Sequence, residues 1–193
     1  EKSYPFWVEF DEPRALQKMQ QTFTQAQSEV KFSIILPTYN TDPIYLKECI
    51  DSVLQQTHKN WELCIADDAS TNVDTISTLE SYAQKHANIK LNLLSENGHI
   101  SKASNTALSM VTSDYVLLLD HDDTLPAHTL SFFAKAITDN TKAKMLYGDE
   151  DKIDEQGNRH QPHFKPGWNP DLLLSQNYIC HPVVYKTSVL KKI

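Results

Sequence analysis

Eight carboxylates fall in three short runs, each directly after an apolar stretch of strand length. Asp67-Asp68 follows residues 61–66, Asp120-His121-Asp122-Asp123 follows residues 115–119, and Asp149-Glu150-Asp151 follows an apolar run ending at Tyr147. Ligands of an open parallel sheet bind beyond the carboxyl ends of its strands, so strands of that kind would bring all three runs to one edge. Carboxylates packed together raise one another's pKa and destabilise the fold unless donors or a cation offset them. Mg²⁺ and Mn²⁺ are hard cations that take oxygen ligands and bridge one or two carboxylates to substrate phosphates. The pattern therefore predicts a metal-bridged phosphate ligand. The runs differ in strength. An Asp pair before Ala69-Ser70 also suits a helix N-cap, and the last run opens a hairpin. The Asp120 run is harder to explain structurally, because four polar residues end Val116-Leu117-Leu118-Leu119 abruptly at the edge of a core.

The elements that must position these groups alternate along the chain. Apolar runs at 32–36, 61–66, 91–94 and 115–119 predict strands. Between them Leu46, Cys49, Ile50, Val53 and Leu54, then Ile76, Leu79 and Ala83, then Ile100, Ala103, Ala107, Leu108 and Val111 recur at helical spacing. A further helix carrying Leu130, Phe133, Ala134 and Ile137 leads to a strand at 145–147. Continuous apolar strands alternating with amphipathic helices predict an α/β fold, a mostly parallel sheet covered on both faces. Beyond Gly148 the alternation stops. Residues 152–160 read as a hairpin, followed by a Pro- and His-bearing loop, a short helix at 172–174, a strand at 183–185, and a helix beginning at Lys191-Lys192-Ile193. Residues 1–30 form a separate N-terminal extension. Tyr4, Phe6, Trp7, Val8 and Phe10 cluster before a helix start at Asp11-Glu12-Pro13, with Leu16, Met19, Phe23 and Ala26 on one face. That helix either packs on residues 31–193 or docks a partner or another domain.

Composition narrows the function classes. With 25 acidic against 18 basic residues the chain carries a net charge of −7, and it lacks the basic stripe of a nucleic-acid binder. No apolar run reaches the roughly 20 residues that span a bilayer, and Glu1-Lys2-Ser3 does not open a signal peptide. The four glycines (Gly98, Gly148, Gly157 and Gly167) lie too far apart for a dinucleotide fingerprint or a P-loop. Any nucleotide here is held without a glycine cradle. Cys49, Cys64 and Cys180 form no C-x-x-C and read as buried free thiols in a reducing compartment. His160, His163, Cys180 and His181 do not have the spacing of a zinc finger.

Five motifs in order resemble family 2 glycosyltransferases of the GT-A fold: residues 33–40 (SIILPTYN), 52–57 (SVLQQT), 65–70 (IADDAS), 97–105 (NGHISKASN) and 119–123 (LDHDD). Residues 147–151 (YGDED) and 164–171 (FKPGWNPD) resemble the branch that builds bacterial surface polysaccharides, and so does the aromatic lead-in. The resemblance implies a metal-dependent inverting transfer of a sugar from a nucleotide-diphosphate donor, a UDP-sugar, to a saccharide or lipid-linked acceptor. It implies Mn²⁺ or Mg²⁺ as cofactor and a cytoplasmic location at the inner face of the membrane or within a multidomain synthase. By the same resemblance Pro37 and Tyr39 line the base pocket, and Asp68 accepts from the base N3–H while Asp67 holds the loop. Gly98, Lys102 and Asn105 lie close to the nucleotide. Asp120-His121-Asp122 is the Asp-x-Asp motif: Asp122 binds the metal, and Asp120 contacts ribose or metal. His121 points away from the metal, and His181 borders the acceptor side.

An inverting transfer needs a carboxylate to take the acceptor proton. In the family it lies in an acidic pair after the strand matching 183–185, and no such pair occurs before Ile193. The expectation is a domain truncated at its C-terminus, with Asp149 and Asp151 as the in-chain candidates. Competing readings are a nucleotide-sugar-binding domain without catalysis of its own inside a larger synthase, and a sugar nucleotidyltransferase. The latter expects a glycine-rich N-terminal loop that Pro37-Thr38-Tyr39-Asn40 does not supply. A phospho-receiver domain expects a lone Asp and fits the Asp120 run poorly.

Overall fold

The apolar runs pair side by side. In a computed structural model, which describes residues 3–192, β1 (Phe32–Thr38) and β2 (Trp61–Asp67) are buried at every position. They run parallel in register from Phe32↔Trp61 to Thr38↔Asp67. β3 (Ile89–Leu93) adds parallel to β2, and β4 (Tyr115–Leu118) adds parallel to β1. The strand read at 91–94 thus begins two residues earlier. Its outer residues are exposed because it forms the sheet edge. β5 (Met145–Tyr147) does not join β4 directly. β8 (Val183–Lys186) inserts between them, antiparallel to both, giving the order β3-β2-β1-β4-β8-β5.

Side chains of neighbouring strand residues point to opposite faces, and each face has its own cover. On one face Ile34, Leu36, Leu63, Ile65 and Leu117 meet three helices. These are α4 (Pro43–Leu54), α5 (Val73–Lys85) and α7 (Thr129–Asp139), through Leu46, Ile50, Leu79, Leu130 and Ile137. On the other face Ile35, Cys64, Ala66 and Val116 pack on Ala103 and Ala107 of α6 (His99–Ser109). Asp42 caps α4 by accepting from the Ile44 N–H with Pro43 in the first turn, and Asn72 caps α5 by accepting from the Asp74 N–H. No helix among the described residues is long and apolar enough to cross a membrane.

The acidic hairpin is a two-stranded sheet of β6 (Glu150–Ile153) and β7 (Arg159–His163), turning through Gly157 at φ 82°. α8 (Pro170–Ser175) follows. The expected terminal helix lies earlier than predicted, as α9 (Thr187–Leu190) directly after β8, and Ile193 falls outside the described residues, as do Glu1 and Lys2. Cys49 and Cys64 are buried as expected, but Cys180 is exposed because it sits in the loop before β8.

Residues 4–29 are helical from further upstream than Asp11-Glu12-Pro13. α1 (Tyr4–Phe6) continues through a π-helical turn (Trp7–Asp11) into α2 (Glu12–Thr22), and α3 (Gln25–Glu29) follows. Pro13 has no N–H to offer an α-helical ladder, and at this point the Glu12 N–H reaches back to the Trp7 carbonyl, widening the helix by one residue. The extension packs on residues 31–193 at both ends. Tyr4 and Trp7 contact Phe164 edge-on, and Phe23 meets His58, whose Nε2 lies 2.7 Å from the Val30 carbonyl oxygen. Arg159 of β7 bridges Glu12 and Asp151 at 2.6 and 2.5 Å, and the Tyr4 hydroxyl donates to the same Asp151.

Candidate active site

The loops leaving β1 and β2 and the one entering α6 meet at the carboxyl edge of the sheet and enclose a cleft of about 340 Å³. Pro37, Thr38, Tyr39, Asp68, Asn97, His99, Ile100, Ala103 and His121 line it. Each loop holds one non-glycine residue in the left-handed region: Asn40 (φ 47°), Ala69 (φ 60°) and His99 (φ 64°). Such conformations cost roughly 1–3 kcal/mol each and persist only where neighbours fix them. Asn40 shows how. Its Oδ1 accepts from the Thr71 and Asn72 N–H groups at 2.8 and 3.0 Å, and its own N–H donates to Ser70 Oγ at 2.7 Å.

The two adjacent aspartates divide the work. Asp67 is 1% exposed, and its carboxylate accepts from Thr38 Oγ1 (2.9 Å), Ser70 Oγ (2.6 Å) and Ser70 N–H (2.8 Å). The Thr38 contact ties β1 to the end of β2, and the two Ser70 contacts fold the loop after β2 back onto Asp67. Asp68 faces the cleft. Its Oδ1 accepts the Gly98 N–H at 2.8 Å, and its own backbone is held by Thr38 and Asn97. Asp68 is 3% exposed and forms part of the cleft lining. Gly98 has no room for a side chain, since a Cβ there would lie 2.0 Å from Lys102 Cδ and 2.9 Å from Lys102 Cβ.

Pro37, Tyr39 and Asp68 therefore come together, and Gly98 reaches the site through its N–H. Lys102 and Asn105 do not line the cleft. α6 turns Ala103 and Ala107 onto the sheet, which rotates positions 102 and 105 outward, and Lys102 Nζ pairs with Glu96 at 2.8 Å. His99, Ile100 and Ala103 line the cleft as well, a placement signalled in the sequence only by their position in the first turns of the helix that follows Gly98.

The Asp120 run lies beside this cleft, with His121 forming part of its wall. β4 and β8 pair Leu118 with Val183, so two residues beyond each strand end Asp120 and His181 face one another, Oδ2 to Nε2 at 3.1 Å. Asp123 completes a group in which one ligand atom from each of Asp120, Asp123 and His181 lies within 4.8 Å of the others. The Asp120 hydrogen bond raises the His181 pKa, and the same bond holds Asp120 below the ordinary carboxylate range. Asp123 is open to solvent on one side, yet desolvation and the charges of Asp120, Asp122 and Glu150 push its carboxyl up. The negative charge here exceeds what His181 balances. Two carboxylates and an imidazole match the donor set of Mn²⁺ and, less closely, that of all-oxygen Mg²⁺. Asp122 lies outside the group, its side chain 64% exposed and 3.9 Å from His121 Nδ1. Beneath the turn, Cys49 Sγ donates to the Asp120 carbonyl, and burial together with the aspartates pushes that thiol up, keeping it unreactive.

The third run is spent largely on framework. Asp151 is held by Arg159 and Tyr4, turned toward the N-terminal helix rather than the cleft. Asp149 Oδ1 accepts the Lys165 N–H at 2.7 Å. Glu150 pairs with His163 and Lys165. The eight carboxylates thus do not all converge, because Asp67 and Asp151 each answer to neighbouring donors.

A model of glycosyl transferase family 2 matches residues 33–193. The uncharacterized protein y4gI of Sinorhizobium fredii is 39% identical over 176 residues, covering 91% of this chain and 19% of that protein. The O-antigen biosynthesis protein RfbC of Myxococcus xanthus is 32% identical over 190 residues, covering 98% of this chain and 15% of its own length. The chain thus spans less than a fifth of either relative. The crystal structure of Staphylococcus aureus TarS in complex with UDP-GlcNAc superposes with a TM-score of 0.68 at 28% identity, covering 84% of this chain and 47% of that one. The mostly parallel six-stranded sheet with helices on both faces is that of a GT-A domain. With a match over all but the N-terminal extension and a shared architecture, the chain belongs to glycosyltransferase family 2.

Proposed function

We propose that this domain binds a UDP-sugar and transfers its glycosyl group, with inversion, to a saccharide or lipid-linked acceptor during bacterial polysaccharide assembly. The observation that carries the reading is the Asp68 carboxylate. One oxygen is fixed by Gly98, and the carboxylate, though only 3% exposed, lines a cleft whose wall includes the half-exposed Tyr39 ring. An acceptor so placed pairs with the N3–H of uracil, whereas cytosine has no proton there. Tyr39 offers a face on which a pyrimidine stacks. The likeness to TarS, whose structure holds UDP-GlcNAc, supports the same donor class.

Asp120, Asp123 and His181 fit a divalent cation by chemistry and spacing, with Asp122 one residue along the same turn as a further oxygen donor. A cation bound there supplies charge that offsets the negative charge developing on the departing diphosphate. The protein's part is to fix these ligands on strand ends and to hold the base through Asp68 and Tyr39. The usual base is expected beyond Ile193, and of the two in-chain candidates Asp149 is the less committed. It gives one oxygen to a single backbone N–H, while Asp151 is committed to Arg159. The reaction belongs on the cytoplasmic side, inside a larger synthase of the kind RfbC's length illustrates.

Thermal denaturation with UDP-, dTDP- and GDP-sugars in Mn²⁺ tests the reading. A ligand at a hundred times its Kd stabilises by about 2.7 kcal/mol, roughly 5–10 °C for a domain of this size. UDP-sugars should give that shift. Stabilisation by GDP-sugars alone would remove Asp68 from the base-reading role.

A further inference from the structure

We propose that Lys165 is a positioning residue for His181: its buried ammonium gathers the two backbone carbonyls that flank Cys180 and so holds the imidazole against Asp120. The consequence for metal binding rests on the reading of Asp120, Asp123 and His181 as cation ligands.

Lys165 is the most completely enclosed cation among the ion pairs of the described residues, with a side chain 1% exposed. A lysine is seldom buried without partners that use its charge. Its Nζ donates to the Ile179 carbonyl at 2.5 Å and the His181 carbonyl at 2.6 Å, and pairs with Glu150 Oε2 at 3.2 Å. These contacts use all three ammonium donors. The backbone N–H of Lys165 donates to Asp149, so the residue is pinned at both ends.

The two carbonyls belong to the residues on either side of Cys180, which is itself in the left-handed region at φ 41°. A non-glycine residue prefers other conformations, and it stays left-handed only where the surroundings over-determine it. A single cation drawing in both flanking carbonyls does that. The segment so fixed enters β8 with His181 two residues ahead of Val183, opposite Asp120. Without the ammonium, the Ile179 and His181 carbonyl oxygens would lose the donor they share, and Glu150 would keep only His163 and the His181 N–H. The turn would relax and carry His181 away. Arginine does not replace this function, because a planar guanidinium spreads its donors in a fork, whereas these three acceptors converge on one point.

The test uses the 193-residue chain with Lys165→Met, Lys165→Arg, His181→Ala and the double variant Lys165→Met/His181→Ala. Mn²⁺ affinity is read by the electron paramagnetic resonance of the free ion, and the χ1 rotamer of His181 by NMR scalar couplings in metal-free protein. Outer partners of metal ligands typically change affinity by roughly 10–100-fold. Lys165→Met should weaken Mn²⁺ binding by roughly tenfold or more, and the double variant should bind no more weakly than His181→Ala alone. His181 should occupy one rotamer in the wild type and an average in Lys165→Met. Lys165→Arg retains charge and bulk, so it keeps the test open if the methionine variant fails to fold, and it should loosen His181 in the same direction. An unchanged Mn²⁺ affinity in both Lys165 variants, or an equal loss from Lys165→Met in the His181→Ala background, overturns the proposal. A wild type that binds no Mn²⁺ removes the cation reading alone. The rotamer then decides, with a fixed His181 in Lys165→Met refuting the positioning role.

Discussion

Acid should loosen this domain at the end of the sheet away from the cleft, through Glu62. The residue is 5% exposed near the start of β2. Its Oε1 accepts from Ser33 Oγ (2.5 Å), Thr112 N–H (2.7 Å) and Thr112 Oγ1 (2.9 Å), and its Oε2 pairs with Lys90 at 3.0 Å and Lys31 at 3.3 Å. Burial alone would raise its pKa, but the Ser33, Thr112 and Lys90 contacts outweigh burial and lower it from 4.5 to about 2. At about 1.36 kcal/mol per pH unit this corresponds to about 3 kcal/mol, reduced to about 2–3 kcal/mol because both lysines are partly solvated. Because the folded state has the lower pKa, the contribution is complete above pH 4.5 and is lost as pH falls from there through about 2. Urea denaturation of the wild type and Glu62→Gln across that range measures it. The wild type should be more stable by about 2–3 kcal/mol near neutral pH, with the gap closing as Glu62 takes up its proton. A gap that stays constant down to the acid limit, or no gap near neutral pH, would show that the ionised Glu62 does not stabilise the fold.

Two further outcomes follow from the same geometry. Arg159→Met leaves the half-buried Glu12 and Asp151 carboxylates without their shared partner, and should cost about 1.5–3 kcal/mol, the worth of a hydrogen bond to a charged group. Hydrogen exchange should show faster exchange in β6, β7 and α2, whereas unchanged protection would mean the bridge contributes nothing. Asp68→Asn should keep its oxygen on the Gly98 N–H and turn its NH₂ toward the base. UDP affinity should then fall roughly 10–100-fold, the worth of a hydrogen bond to a charged group, while CDP loses less. Equal losses for both nucleotides in calorimetry would place the base elsewhere.

The sheet was legible because buried parallel strands need continuous apolar runs, and residues 32–36, 61–66 and 115–119 supply them without interruption. The role of Asp67 was also foreseeable, since a carboxylate at a strand end beside Ser70 has local donors. The partner of Asp120 was not. His181 could be assigned to the acceptor side, but its meeting with Asp120 depends on β8 entering antiparallel between β4 and β5, a long-range pairing that no local pattern encodes. In the same way Asp122 and Asp123 are adjacent in one turn, and only the backbone direction decides which of them joins Asp120. Asp151 reads as a free acid until Arg159 and the N-terminal helix are folded around it.

Calorimetric titration of UDP into the chain, with Mn²⁺ and again in EDTA, tests the central claim most directly. Binding should require Mn²⁺ and disappear when Asp120 and Asp123 are both replaced by asparagine. UDP binding of equal strength in EDTA, or binding untouched by those replacements, would contradict that claim.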